Sequence, residues 1–262
     1  MRFTLSIMYD SVFLRLKNRE STMPTVTLSL YRFDRALARL WVLGQMALAR
    51  RDLARVPGLG FWKLCGSGTG EGFTPRPNWG VWAILGVWPD AGAARAGLGL
   101  APFFRWTARA DESCTFFLEP TSVRGHWAGA RPFVVADAGD TIASDDAPIA
   151  AMTRATVRPA RALRFWRRVP DISARIGADP NVIFKIGIGE VPLLHQVTFS
   201  IWPDAATMVG FARTGAHAEA IRAVRTEGWF TEELYARFRV RGCIGTWQGR
   251  DPLATLIRQE AA

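Results

Sequence analysis

Cysteine is scarce in this chain: the three, Cys65, Cys114 and Cys243, are odd in number, far apart in sequence and outside any Cys-x-x-Cys spacing. That argues against a disulfide framework or a thiolate cluster, and it fits a reducing cytoplasm. Histidine is equally rare, with only His126, His195 and His217. No His-Glu-x-x-His, serine-nucleophile motif or carboxylate pair emerges, so zinc and hydrolase chemistries lack a carrier. Nor does any apolar run approach the roughly 20 residues a membrane-spanning helix needs. The first 22 residues hold Phe3, Leu5, Ile7 and Met8, but Asp10 and Arg15 interrupt them and no small-residue cleavage site follows, which argues against a signal peptide or anchor. Met23 stands just before the first convincing strand, so residues 1–22 are expected to be an N-terminal extension, either untranslated in the native protein or disordered. Acidic residues are also short in supply: 23 Asp and Glu face 33 Lys and Arg, a formal charge of +10. Such a surface suits negatively charged partners, whether nucleic acid, anionic lipid or an acidic protein.

What is abundant is apolar: 49% of 262 residues, including 11 tryptophans, enough to build a substantial core. The pattern is duplicated. Trp82-Ala-Ile-Leu-Gly-Val-Trp88-Pro89-Asp90 and Gln196-Val-Thr-Phe-Ser-Ile-Trp202-Pro203-Asp204 are the same strand-ending device. Upstream lie Phe61-Trp-Lys63-Leu-Cys-Gly66 and Phe184-Lys185-Ile-Gly187. Downstream come a helical pattern and a closing strand, at Ala91 to Ala108 and Cys114 to Pro120 in the first copy, at Ala205 to Arg225 and Tyr235 to Ile244 in the second. Opening strands and helices precede both: Thr25 to Arg32 with Arg35 to Arg55, and Ala150 to Arg158 with Ala160 to Ile176. Each copy is therefore β-α-β-β-α-β. The expected fold is α+β, two tandem ferredoxin-like repeats packed as an intrachain dimeric α+β barrel. Residues 23–129 form the first repeat, 130–148 a polar Pro- and Gly-containing linker and 149–262 the second repeat. Within the repeated motif, Pro ends the strand and Asp caps the following helix.

The copies differ at one chemically capable position. In the second, His217, Ile221 and Val224 share a helix face, with Arg213, Arg222 and Arg225 nearby; the first has Phe103 at the matching offset. An inward histidine with flanking cations has the ingredients of an axial haem ligand with propionate partners, and a buried core histidine fits the same pattern. His195 shares the strand face of Val197 and Phe199 and is the rival ligand or a distal group. His126 is expected in an exposed loop and Cys65 as a buried structural thiol. The Gly66-Ser-Gly68-Thr-Gly70-Glu-Gly72 run lacks Gly-Lys-Ser/Thr and is read as a hairpin loop near a ligand cavity rather than a phosphate cradle. The tryptophans are core, with some lining an apolar cavity.

Several stretches resemble the spheroidene monooxygenases, acyclic carotenoid 2-ketolases of photosynthetic bacteria. They are Leu28-Ser-Leu-Tyr-Arg-Phe33, Leu40-Trp-Val-Leu-Gly-Gln-Met46, Phe61-Trp-Lys63 with Gly66 to Gly70, Gly72-Phe-Thr-Pro75, Phe184 to Gly187 with Gly189-Glu-Val-Pro192, His195 to Asp204, and His217 to Arg222 with Trp229 to Phe238. The resemblance covers nearly everything after Met23. It implies one b-type haem (heme) per chain and O₂-dependent oxidation, twice, at C2 of spheroidene-type carotenoids, with loss of water giving the ketone. Reduced ferredoxin is the implied electron donor. The helix around His217 also looks like the ligand helix of haem-degrading monooxygenases, which points to His217 as the iron ligand, with Arg213, Arg222 and Lys185 as further cofactor-binding residues. A cytoplasmic protein peripheral to the inner or photosynthetic membrane follows, since the carotenoid is insoluble.

Two other readings compete. A tandem RNA-recognition module shares the β-α-β-β-α-β order, but neither Trp79 to Trp88 nor His195 to Trp202 carries the base-stacking signature, so no nucleic acid is expected. A cofactor-free barrel oxygenase or hydrophobic-ligand carrier would leave His217 a packing or cavity residue.

Overall fold

A computed structural model of the chain describes residues 23–135, 148–167, 179–213 and 228–254. The first repeat runs β1 (Thr25–Arg32), α1 (Ala36–Leu53), β2 (Phe61–Gly68), β3 (Pro77–Trp88), α2 (Ala91–Leu98), α3 (Phe103–Arg109) and β4 (Glu112–Gly125). The second runs β5 (Ile149–Val157), a 3-10 turn at Pro159–Arg161 leading into helical residues 162–167, β6 (Phe184–Gly189), β7 (His195–Trp202), α4 (Ala205–Arg213) and β8 (Phe230–Gly245). The stretch expected as one helix over Ala91 to Ala108 is two, because Gly99 caps α2 and Pro102 begins the next helix. The closing strands are longer than expected, since β4 and β8 pair with each other beyond their own repeats.

All eight strands close into one barrel in the order β1-β3-β2-β6-β7-β5-β8-β4. Each repeat contributes four strands with its first and third at the centre, the ferredoxin-like order, so the expected fold is the observed one. The two seams are unequal. Strands β4 and β8 pair from Cys114↔Gly245 to Gly125↔Leu234. Strands β2 and β6 pair only at Gly66↔Gly189 and Ser67↔Ile188. Across the long seam, Cys114 and Cys243, distant in sequence, bring their Sγ atoms to 2.8 Å as free thiols.

Alternation along the strands sorts side chains into two cores. Leu28, Leu85, Phe116, Phe199 and Phe238 point into the barrel. Tyr31, Trp82, Ile84 and Trp88 point outward and are covered by α1, α2 and α3 through Val42, Ala49, Ala94, Phe103 and Trp106. Apolar side chains on both faces of β3 explain its uninterrupted hydrophobic run. The repeated Trp-Pro-Asp acts as expected. Asp90 Oδ1 accepts from the Ala93 N–H at 2.7 Å and Asp204 Oδ1 from the Thr207 N–H at 2.6 Å, and these caps hold the Asp204 carboxyl below its ordinary range. Both indoles reach a hydroxyl on the outer face: Trp88 Nε1 donates to Thr27 Oγ1 at 2.9 Å, and Trp202 Nε1 to Ser200 Oγ at 3.0 Å.

The short seam relies on glycine. Gly72 adopts φ +92°, and a Cβ there would overlap the Gly187 carbonyl of β6. The resulting close approach lets the Gly187 N–H donate to the Glu71 carbonyl at 2.7 Å, while Ser67 Oγ donates to the Gly187 carbonyl at 2.7 Å. Substituting Gly72→Ala should therefore cost about 2–4 kcal/mol and lower the thermal midpoint by about 5–10 °C. Gly44→Ala, in the interior of α1 with open space beside it, should instead stabilise by about 0.5–1 kcal/mol. Calorimetry of both variants checks the contrast.

Candidate functional site

Two features flank the short seam, one inside the barrel and one outside. Inside, five charged or titratable side chains continue the alternation that faces the core: Lys63 after Phe61, Arg154 after Met152, Glu190 just past the end of β6 after Ile188, His195 before Val197, and Glu232 before Leu234. Glu190 is their hub. It pairs with Lys63 Nζ at 2.9 Å and Arg154 Nη2 at 3.6 Å, accepts from Trp127 Nε1 at 2.7 Å, and lies 3.8 Å from His195 Nδ1. Arg154 is fully buried; its second anchor is Glu232 at 3.0 Å, and its guanidinium lies 5.9 Å from the Trp127 ring centre. Trp127 and Phe133 pack edge to face and close this end of the barrel; Phe133, in the expected linker, is thus a core residue.

The two cations and two carboxylates balance, and His195 is the group left over. Burial, then the Arg154 charge, holds its pKa below the ordinary value, outweighing the pull of Glu190. Its Nδ1 and Arg154 Nε are buried without a hydrogen-bond partner. Burial likewise raises the Cys65 thiol pKa well above its usual range, keeping the thiol protonated and unreactive.

Outside, a cleft of about 250 Å³ lies over the β2–β6 seam. Its floor is Gly66, Gly68, Gly72 and Gly189, and its walls are Trp79, Trp82 and Trp166, with Leu43 and Met46 of α1 and Val191, Pro192 and Leu193 of the β6–β7 turn. Trp82 Nε1 is satisfied by the Trp79 carbonyl at 2.9 Å and Trp166 Nε1 by the Leu193 carbonyl at 3.0 Å, so these indoles present apolar rings to the cleft. Glu190 borders both the cleft and the interior cluster. The glycine run of the β2–β3 hairpin contributes to the cleft through Gly66, Gly68 and Gly72.

The outer faces of the two half-barrels are filled differently. Strand register equates Tyr31 with Ala155, Trp82 with Gln196 and Ile84 with Thr198. Three large side chains under the helices of the first repeat thus correspond to small or polar ones on the second. Phe103, at the offset of His217, packs on the first sheet with its ring 5.7 Å from that of Trp88.

Of the residues singled out by sequence, His217 and Arg222 lie outside the described residues, and Arg213 is the last residue of α4. Lys185 is on the outer face of β6, paired with Glu71 at 2.8 Å and 5.9 Å from the Phe73 ring centre. His195 is inside the barrel on the face of Val197 and Phe199, as the alternation implied, and His126 is exposed where it accepts from Arg131 Nε at 3.2 Å. Sequence reading missed the roles of Lys63, Arg154, Glu190 and Glu232. Their signal was a charged residue at an inward position of an otherwise apolar strand face.

This architecture defines the class: a single-chain α+β barrel of two ferredoxin-like repeats. The same fold occurs in a solved aldoxime dehydratase in complex with butyraldoxime, with a TM-score of 0.56 at 12% identity over 90% of this chain and 87% of that one. No family model matches the chain. Among curated proteins, the spheroidene monooxygenase of Cereibacter sphaeroides is 56% identical over 238 residues, 90% of this chain and 72% of that protein. The spheroidene monooxygenase of Rhodobacter capsulatus is 53% identical over 237 residues, 90% of this chain and 98% of that one. The chain belongs to the spheroidene monooxygenase family.

The interior cluster makes a pH prediction. Because the folded-state pKa of His195 is depressed, the unfolded chain binds more protons just below pH 6.5, so stability is lost on acidification through that range and is constant well above it. Urea titrations should show that His195→Gln flattens this loss. A stability difference between the parent and His195→Gln that does not change from pH 5.5 to 7.5 would contradict the assignment.

Proposed function

We propose that this chain is a carotenoid monooxygenase that uses haem and O₂ to install a keto group at C2 of spheroidene-type acyclic carotenoids, with reduced ferredoxin as the electron donor. Membership of the spheroidene monooxygenase family supports the substrate and the oxygenase class. The observation that carries the cofactor is the asymmetry of the outer faces. Ala155, Gln196 and Thr198 replace Tyr31, Trp82 and Ile84, relieving the second sheet of the bulk that fills the first, as a large flat group would require. His217 takes the sequence offset of Phe103, the residue that packs on the equivalent face, and it is the proposed iron ligand. Arg213, Arg222 and Lys185 are the proposed partners of the propionates, Lys185 standing at the edge of that face where it is shared with Glu71.

Haem bound there would supply the redox iron at which O₂ is reduced and the C–H bond oxidised. The chain's own task is placement. The tryptophan-walled cleft reaches the same face through Gly189 and Gln196 and offers a polyene end aromatic surfaces, with Arg76 and Glu190 at its border. Orientation of C2 toward the oxidising centre then comes from the shape of the cleft, because an acyclic hydrocarbon end has few polar atoms to grip.

The visible spectrum of haem-supplied protein and of His217→Ala tests the ligand directly. A Soret band in the parent that is lost or strongly shifted in His217→Ala is the expected result; an unchanged spectrum removes His217 from the iron. Pigment analysis of spheroidene-making cells that express the chain tests the substrate separately, with the 2-ketone as the expected product. Unchanged pigments from folded, haem-loaded protein would overturn the carotenoid assignment.

A further inference from the structure

Helix α1 is apolar on the wrong side. Its inward face, Val42, Gln45, Ala49 and Leu53, is buried against the first sheet. The opposite face carries Leu37, Leu40, Gly44, Ala47 and Leu48, and the leucines are 82%, 68% and 63% exposed. A helix at a protein surface normally turns charge outward. Here Arg39 and Arg50 flank the leucine face on one side and Arg51 closes it at the helix's C-terminal end, while the helix's single acid, Asp52, is engaged by Arg105.

From this face we infer that α1 docks on an anionic lipid surface, which places the mouth of the seam cleft at that surface and lets the polyene enter from the bilayer. The substrate half of this inference rests on the carotenoid reading above. Three observations choose a lipid surface over another occupant. The arginines beside and at the end of this face, on a chain with net charge +10, complement anionic headgroups. The leucine face is continuous with the cleft, because Leu43, 45% exposed on the same helix, and Met46 both line it. The far lip bears Trp79, 54% exposed, and Leu193, 42% exposed, and indole is the side chain that settles best at a headgroup boundary. A long insoluble hydrocarbon has no aqueous route to a site. A cleft opening onto lipid needs none.

The test uses the full haem-loaded chain and Leu40→Gln combined with Leu48→Gln, neutral exchanges at exposed helix positions outside the cleft. Cosedimentation with phosphatidylglycerol-rich vesicles should exceed that with phosphatidylcholine vesicles, and the double variant should lose on the order of tenfold in partitioning. Both proteins should oxidise detergent-dispersed spheroidene equally, and only the parent should act efficiently on spheroidene dissolved in the vesicles. Equal vesicle binding by parent and variant overturns the docking face. So does a parent dimer that the two substitutions split while vesicle binding stays unchanged, because a second copy would then cover the helix. If the parent oxidises spheroidene in neither medium yet binds vesicles through α1, the carotenoid reading falls and the lipid face stands.

Discussion

Closure of the barrel across the β2–β6 seam is the constraint on which the remaining features depend. Two four-stranded sheets can share a long seam at β4–β8 because β4 and β8 extend well past their own repeats. At the other side, β2 and β6 meet for only two residue pairs before the β6–β7 turn carries the chain away. What completes the closure is the hairpin loop around Gly72, which presses its backbone onto Gly187, and the Lys185–Glu71 pair outside it. A seam held largely by glycine backbone leaves a floor without side chains, and that floor is the base of the cleft.

The same short seam explains the charged cluster. Where β2 and β6 stop pairing, the barrel end would be open to water, and a purely apolar interior would be exposed there. Lys63, Arg154, Glu190 and Glu232 fill that end with paired charges capped by Trp127. Burying four charges is tolerable only because each has a partner; removing one leaves the others uncompensated in a low-dielectric site. Glu190 belongs to both the cluster and the cleft, so the seam couples the two faces through one carboxylate.

Much of this was legible in the sequence, for reasons that differ from place to place. The doubled Trp-Pro-Asp encodes local events, a strand end and a helix cap, and local events survive in sequence. The strand alternation of Val197, Phe199 and Ile201 was equally readable and placed His195 inside. The charged cluster was not visible, because its members come from four strands and the residue that follows β6, and are brought together only by barrel closure and register. The break at Leu100 to Pro102 is signalled by Gly97, Gly99 and Pro102, and was obscured because a helix resumes at Phe103. The leucines of α1 recur at helical spacing, but periodicity shows that a face is apolar and not which way it points, and Leu37, Leu40 and Leu48 are exposed.

The lumen of an eight-stranded barrel can hold a small ligand, and here it is already full. Phe116 lies 4.9 Å from Phe184 and 5.5 Å from Phe199 between ring centres, and Phe184 and Phe199 are 6.2 Å apart, so aromatic packing occupies the axis. The tryptophans that could be cavity walls divide accordingly: Trp127 seals the barrel end, Trp106 packs beneath the helices of the first repeat, and Trp79, Trp82 and Trp166 line the outer cleft. Outside the barrel, among the described residues, the repeats differ in the bulk removed from the second sheet. Duplication supplied two equivalent outer faces; Tyr31, Trp82 and Ile84 fill one with bulk that stabilises the fold, and Ala155, Gln196 and Thr198 leave the other without it.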